Sequence, residues 1–594
     1  MALFDTIIKG GTIIDGTRMP RFNGDIGIKD GRIAKIGKLN ARDATQVIDA
    51  AGLVVAPGFI DLHTHYDAQL HWDPYCTISG WHGVTSVAIG NCGFGFAPAR
   101  AEHRERLLMM MTRTEQIPYA SMVEAMGLDW EWESLPEWMD HVERLPKGVN
   151  VLNYVSLNPL LVYVLGLEGA KAGRAATPAE LGELKRLLHE AMDAGMMGFG
   201  VQRLGKRSIQ ADYDGTPMPT DVMPDETLLA LAQVLGERGE GFIQIINSTG
   251  GDPLKDRSDK DKLFVEELAR VSGRPILFNA LIALDSHPTE HLSALKWLSD
   301  CHARGLRVFG QAVTVRAPFQ FTLEHWNLYD SSAAWNAAMQ GSTAERIAKL
   351  ADPEVRRRMI EENEDLIVIG AGGPIANLTV KDTPGHPELA HYHGLTVGAI
   401  AEAEGKHPVD AMLDIGLAGD LKTLFRTEDV GSTDPRKVGE LARDQHVIAG
   451  ISDGGAHTKF FTGGSFTTDM ITWLVREHNE MTLEDAHFHL SYLPAQAAGF
   501  SDRGALREGT PADIVVYDYA NLKRVPELDY EIAHDFPANE WRRVQRAEGY
   551  RWIMVNGVVT FIDGVCTGKT PGQLLRLNRL EREFVDVAKV ASVG

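Results

Sequence analysis

A chain of 594 residues with 44% hydrophobic and 24% charged side chains has the make-up of a globular protein with a large core, which excludes a disordered or fibrous class. A formal net charge of −22 argues against a nucleic-acid partner, because clustered Lys and Arg are what displace counterions from a phosphate backbone. Four scattered cysteines are too few for a disulfide framework, and with no apolar run of about 18 residues and no secretory leader, a cytoplasmic protein without a membrane span is expected.

In chain order, the first segment reads as short strands, Thr6 to Gly16, then Asp25 to Ile28 turning through Asp30-Gly31 into Arg32 to Ile36. Asp-Gly between β-branched runs is a hairpin signal. The same texture returns in Ala512 to Asp518 and Trp552 to Thr560, and neither half has enough strands to stand alone. Residues 1–56 and 500–570 are therefore expected to pair into one small composite β domain, followed by a tail, 571–594.

Between them, β-rich runs alternate with amphipathic helices, the pattern of parallel strands joined by crossover helices. Candidate strands are 58–65, 84–92, 149–157, 197–201, 241–246, 275–281, 306–313 and 447–453. Eight such units predict an α/β fold, a (β/α)8 TIM barrel over 57–499. Thr177-Pro178-Ala179-Glu180 is a capping box that opens one helix, and Pro224-Asp225-Glu226 opens another that stops at Gly239. Residues 316–430 form an insertion between the last two strands, carrying Phe319, Phe321, Trp326, Tyr329 and Trp335, and are read either as a lid or substrate wall or as a helical decoration.

His63-Thr64-His65 ends the first candidate strand, after Pro57-Gly58-Phe59-Ile60-Asp61-Leu62. Strand residues i and i+2 face the same way, so two imidazoles can share one cation. Spacing alone is weak, since His391-Tyr392-His393 and His487-Phe488-His489 repeat it; the strand end, where barrels place chemistry, singles out the first pair. Asp453 emerges from the buried run Val447 to Ile451, a costly position for a carboxylate unless a cation meets it.

Pro-Gly-Phe-Ile-Asp-Leu-His-Thr-His resembles the signature of the amidohydrolase superfamily, and the chain is similar to its N-acyl-D-amino-acid deacylase (D-aminoacylase) branch. The matching segments are Gly90-Asn91-Cys92-Gly93, Ser452-Asp453-Gly454, Leu493-Pro494-Ala495, Asp502-Arg503-Gly504 and Gly509 with Ala512-Asp513. The resemblance implies a zinc-dependent deacylase whose barrel is flanked by a small β-sandwich. It also makes Cys92 a metal thiolate, where a lone cysteine is otherwise more often a buried small hydrophobe. The family's metal histidines of strands five and six are absent: these strands read Phe242 to Asn247 and Ile276 to Leu281, and the third ends in Ser156-Leu157-Asn158. What is retained is His63, His65, Cys92 and Asp453, a set for a single Zn2+. Asp453 is also the expected base that moves a proton from water to the leaving amine, the alternative being a carboxylate that is purely a ligand or structural.

Relatives hold the substrate carboxylate with Lys, Arg and Tyr side chains; here Lys459 and Arg316 are the candidates for substrate binding, and the pocket wall is more apolar. The expected substrate is an N-acyl amino acid or a related small acylated amine. Hydrolysis of an ester, lactone or cyclic amide is the second reading, and a non-catalytic binding or assembly protein the third. The oligomeric state, homo-oligomer included, stays open.

Overall fold

The computed structural model describes residues 2–249, 259–325, 328–366 and 373–577, so Trp326 and residues 578–594 of the tail lie outside the described residues. Strands and helices alternate through the middle of the chain, and the eight candidate strands fall in two parallel sheets. One sheet holds Phe59–Asp61, Val84–Ile89 and Asn150–Asn153. The other runs Val155–Ser156, Gly198–Arg203, Phe242–Asn247, Ile276–Leu281, Val308–Ala312 and Val447–Ala449, each paired parallel with its neighbour.

The third candidate strand, expected to be continuous over 149–157, is divided at Tyr154: its first part pairs back to Val84–Ile89 and its second forward to Gly198–Arg203. At the opposite margin Thr64 bridges Gly454 in parallel, and the His65 amide donates to the Gly454 carbonyl at 2.7 Å. The ends of the first and last parallel strands therefore lie side by side. Burial explains the continuous apolar runs, since all six residues of Val84–Ile89 are buried. Helix punctuation follows the local chemistry. Pro178–Asp193 starts with both halves of the Thr177/Glu180 capping box, and Asp225–Arg238 ends at Gly239, whose φ of +69° suits glycine.

Both chain ends enter one nine-stranded sheet, in which Val54–Pro57 pairs antiparallel with Ile514–Tyr517. The Asp30-Gly31 turn, with φ of +49° and +77°, closes the hairpin of Phe22–Lys29 and Arg32–Gly37. Ile8, Ile26, Ile28, Ile33, Val55, Ile514, Val516 and Met554 belong to an apolar cluster of this sheet, separate from the main core. The first residues of the tail are not free: Leu574 and Leu575 are buried, and the Leu575 amide donates to Val151. All four cysteines are free thiols, and among the described residues no helix is long and apolar enough to cross a membrane.

The insertion builds its own antiparallel sheet of Pro318–Phe321, Leu424–Asp429 and Thr379–Asp382, with helices such as Val397–Glu404 and Pro408–Ala418 beside it. Arg316 fastens its start. The Arg316 amide and guanidinium donate to Asp469 at 2.8 and 2.7 Å, and Arg524 reaches the same carboxylate at 2.9 Å. Asp469 is fully buried, and its removal takes away the carboxylate that the two guanidinium groups share, leaving Arg316 with Glu527 at 3.9 Å. Asp469→Ala is expected to cost about 3–5 kcal/mol. A thermal or urea unfolding midpoint unchanged from wild type would show that this triad does not hold the insertion.

Candidate active site

The Thr64–Gly454 bridge keeps residues 63–65 extended beyond the last hydrogen-bonded pair of the strand, so both imidazoles turn to one side, their ring centroids 5.4 Å apart. Cys92 arrives from a tight turn after Val84–Ile89. Its φ is +55°, between Gly90 and Gly93 at +83° and +80°. A side chain on Gly90 would lie 2.4 Å from the Tyr154 carbonyl, so the close approach of the two backbones needs glycine there. The Gln244 side chain fastens this turn: its Oε1 accepts from the Cys92 amide at 2.6 Å, and its Nε2 faces the sulfur at 3.7 Å. Asp453 follows Val447–Ala449 and also sits in the left-handed region, at φ +46°. Two chemically prominent residues held in sparsely populated backbone conformations mark a site that the surroundings over-determine.

Ligand atoms of His63, His65 and Cys92 all lie within 4.8 Å of one another, and all three residues are buried. His63 Nε2 is 3.5 Å from Cys92 Sγ and 3.0 Å from Asp453 Oδ1, and His65 Nε2 is 3.6 Å from the same oxygen. Donors bound at about 2.0–2.3 Å around a tetrahedral ion sit roughly 3.3–3.7 Å from each other; the His63–Cys92 and His65–Asp453 spacings of 3.5 and 3.6 Å fall in that range, and the 3.0 Å between His63 and Asp453 is a direct hydrogen-bond distance. Asp453 touches both imidazoles but is not part of the mutually close set of three.

The electrostatics agree with a cation site. Burial works against the His63 imidazolium, yet the Cys92 sulfur and the Asp453 carboxylate outweigh it and push its pKa up to about 10. Burial would raise the Cys92 thiol, but His63 and His65 bring it below its ordinary value. Burial likewise opposes the Asp453 carboxylate, and His63 and His457 hold it well below the usual carboxylate range. The Cys92 sulfur and the Asp453 carboxylate, which draw protons onto the buried imidazoles, attract a divalent ion in the same way, and its binding displaces those protons.

Two further residues face this cluster without having stood out in the sequence. His457 Nε2 is 3.7 Å from Asp453 Oδ2, while its Nδ1 lies 2.9 Å from the Thr114 carbonyl. Glu115 is buried between two imidazoles, 3.9 Å from His65 Nδ1 and 4.0 Å from His457 Nδ1. Both come from loops with no periodic signature, and the only local hint is that His457 follows Asp453 by four residues. Together with Asn279 these groups line a cavity of about 90 Å³, whose remaining wall is largely apolar: Ile209, Ile246, Ile282, Val313, Phe319 and Phe461 among them. Phe319 and Val430 bring both ends of the insertion to this wall.

The other candidates lie elsewhere. Lys459 pairs with Glu540 at 2.6 Å above the Trp541 ring, Arg316 is held by Asp469 against Trp473, and neither is among the described residues that line the cavity. His487 and His489 bond Tyr517 and the Val447 carbonyl, and His391 and His393 bond Glu388 and Thr383. Asn247, at the end of the strand that lacks a histidine, bonds Asp261 and Arg203. Asn158 accepts from the Thr220 amide.

Residues 46–564 match the model of the amidohydrolase family. The sequence is 26% identical over 579 residues to N-acyl-D-aspartate deacylase of Alcaligenes xylosoxydans xylosoxydans, covering 96% of this chain and 95% of that one. It is 27% identical over 584 residues to N-acyl-D-glutamate deacylase of the same organism, covering 96% of each. Among solved structures, N-acyl-D-glutamate deacylase from Bordetella bronchiseptica, complexed with zinc and a phosphonate inhibitor, matches with a TM-score of 0.64 at 24% identity. That match covers 96% of this chain and 99% of that one and shows a common fold.

Proposed function

The chain belongs to the amidohydrolase family, and on that premise we propose that it is a zinc-dependent hydrolase cleaving the amide bond of an N-acyl amino acid or a related small amide. The observation that carries this reading is the convergence of His63, His65 and Cys92, within 4.8 Å of one another, with the Asp453 carboxylate 3.0 Å from His63 at the floor of a cavity. In the architecture that goes with it, the two parallel sheets are arcs of one (β/α)8 barrel over 57–499. Residues 1–56 and 500–570 are its composite β-sandwich.

His63, His65 and Cys92 would hold one ion, with Asp453 bordering the same point. A bound zinc ion supplies Lewis-acid polarisation of the carbonyl and brings the pKa of water down to about 7. Asp453 then takes the proton of the attacking water at its carboxylate and returns it to the nitrogen of the departing amine, for which an ionised carboxylate at the cavity floor is suited. The apolar wall keeps bulk water from the reacting carbonyl and strengthens these interactions.

For substrate recognition we assign the apolar wall, rather than Lys459 or Arg316, the part of selecting the acyl group. At about 0.8 kcal/mol per buried methylene, kcat/KM is expected to rise about fourfold with each of the first two or three carbons added to an N-acetyl substrate. A panel of N-acyl-D- and N-acyl-L-amino acids, esters, lactones and hydantoins tests the bond and the class at once. A kcat/KM that stays flat or falls as the acyl chain lengthens would overturn the assignment of the apolar wall, and preference for any ester over every amide would overturn the amide reading.

A further inference from the structure

An imidazole that binds a cation through Nε2 carries its proton on Nδ1. That N–H needs an acceptor, which fixes both the tautomer and the ring orientation. His63 directs Nε2 at Cys92 and Asp453, so its Nδ1 points to the opposite side. There it meets the Asn279 amide, with Nδ2 3.0 Å from Nδ1. Asn279 Oδ1 is buried and has no hydrogen-bond partner among the described residues. A half-turn of the amide exchanges Oδ1 and Nδ2 with no other movement. It gives the orphaned oxygen a donor and leaves the Nε2 lone pair directed at the cation position.

Asn279 lies on Ile276–Leu281, opposite Ile246 of the neighbouring strand, and both residues line the cavity. This strand lacks the metal histidine that the family resemblance leads one to expect. We propose that Asn279 is a positioning residue for His63: its amide oxygen accepts from His63 Nδ1–H and holds the ring as the tautomer that can bind a metal. The strand that has no metal imidazole thus serves the centre one step further out. The proposal rests on the zinc reading above.

The test is zinc affinity, measured by competition with a chromophoric chelator on metal-stripped wild type, Asn279→Leu, Asn279→Ser and Asn279→Asp. Losing an outer partner of this kind weakens metal binding by about 10–100-fold. The Leu and Ser variants are expected to show such a loss, whereas Asp, which keeps an acceptor oxygen at the same reach, should stay within about threefold of wild type. Ser keeps the test alive if Leu does not fold. Thermal midpoints of the metal-free proteins separate a local effect from a general one, because a merely structural role would lower them and would not be rescued by Asp. Unchanged zinc affinity in Leu and Ser, or equal loss in all three variants, overturns the role of Asn279 alone. A wild type that takes up no zinc overturns the metal reading and this role with it.

Discussion

Protein stripped of metal by a chelator is expected to lose turnover to the level of buffer and to regain it with one equivalent of zinc per chain. Among the described residues one group of mutually close metal-ligating side chains exists, His63, His65 and Cys92, so one strong site is expected. Two nitrogens and a sulfur make a three-ligand set, the arrangement that leaves a coordination position for water or substrate. Cys92→Ala and His63→Ala should each lose zinc and turnover together, whereas a merely structural thiol would cost stability and leave the metal content alone. Full turnover without metal would remove the basis of the hydrolase reading. Two tightly held ions per chain would remove the single-ion part of it.

Asp453→Asn is expected to lower kcat by about 10²–10⁴-fold, the range for loss of a positioned proton-transfer group, while zinc content stays near one per chain. The variant keeps an oxygen of similar reach but no longer takes a proton. Without metal, His63 and His457 hold the wild-type carboxylate well below the usual carboxylate range against the opposing effect of burial, and a cation in place of the imidazole protons favours the ionised form in the same sense. Asp453 lies outside the close set of three ligands and faces His457 at 3.7 Å on its other side, which suits a group that moves protons more than one that anchors metal. Undiminished turnover would end the proposed role. Loss of zinc along with turnover would make Asp453 chiefly a ligand.

The parts of this site that could be read without coordinates are those governed by local geometry. His63 and His65 share a side because an extended backbone repeats every two residues, and any strand end with this spacing would present them so. The turn at Cys92 is announced by Gly90 and Gly93, which alone tolerate the required φ without strain. Lys459 stands shortly after Asp453 and Arg316 shortly after the seventh candidate strand, and position in the sequence is a poor guide for long side chains. Lys459 and Arg316 have the reach to turn away from the cavity, and each ends on a carboxylate far along the chain, Glu540 or Asp469. Glu115, His457 and Gln244 had no comparable mark, being ordinary members of a chain with 81 acidic residues and 21 histidines.

By itself, then, the order of apolar runs, capping residues and turn glycines determined the alternation of strands and helices and the pairing potential of the two chain ends. These are short-range preferences that each segment carries with it. Only the tertiary structure decided which groups meet at the cavity floor. Glu115 approaches His65 and His457 from a separate loop, Gln244 meets Cys92 across 152 residues, and Asn279 meets His63 across 216. Such contacts depend on how whole strands pack in register, and no local pattern in the chain encodes that distance.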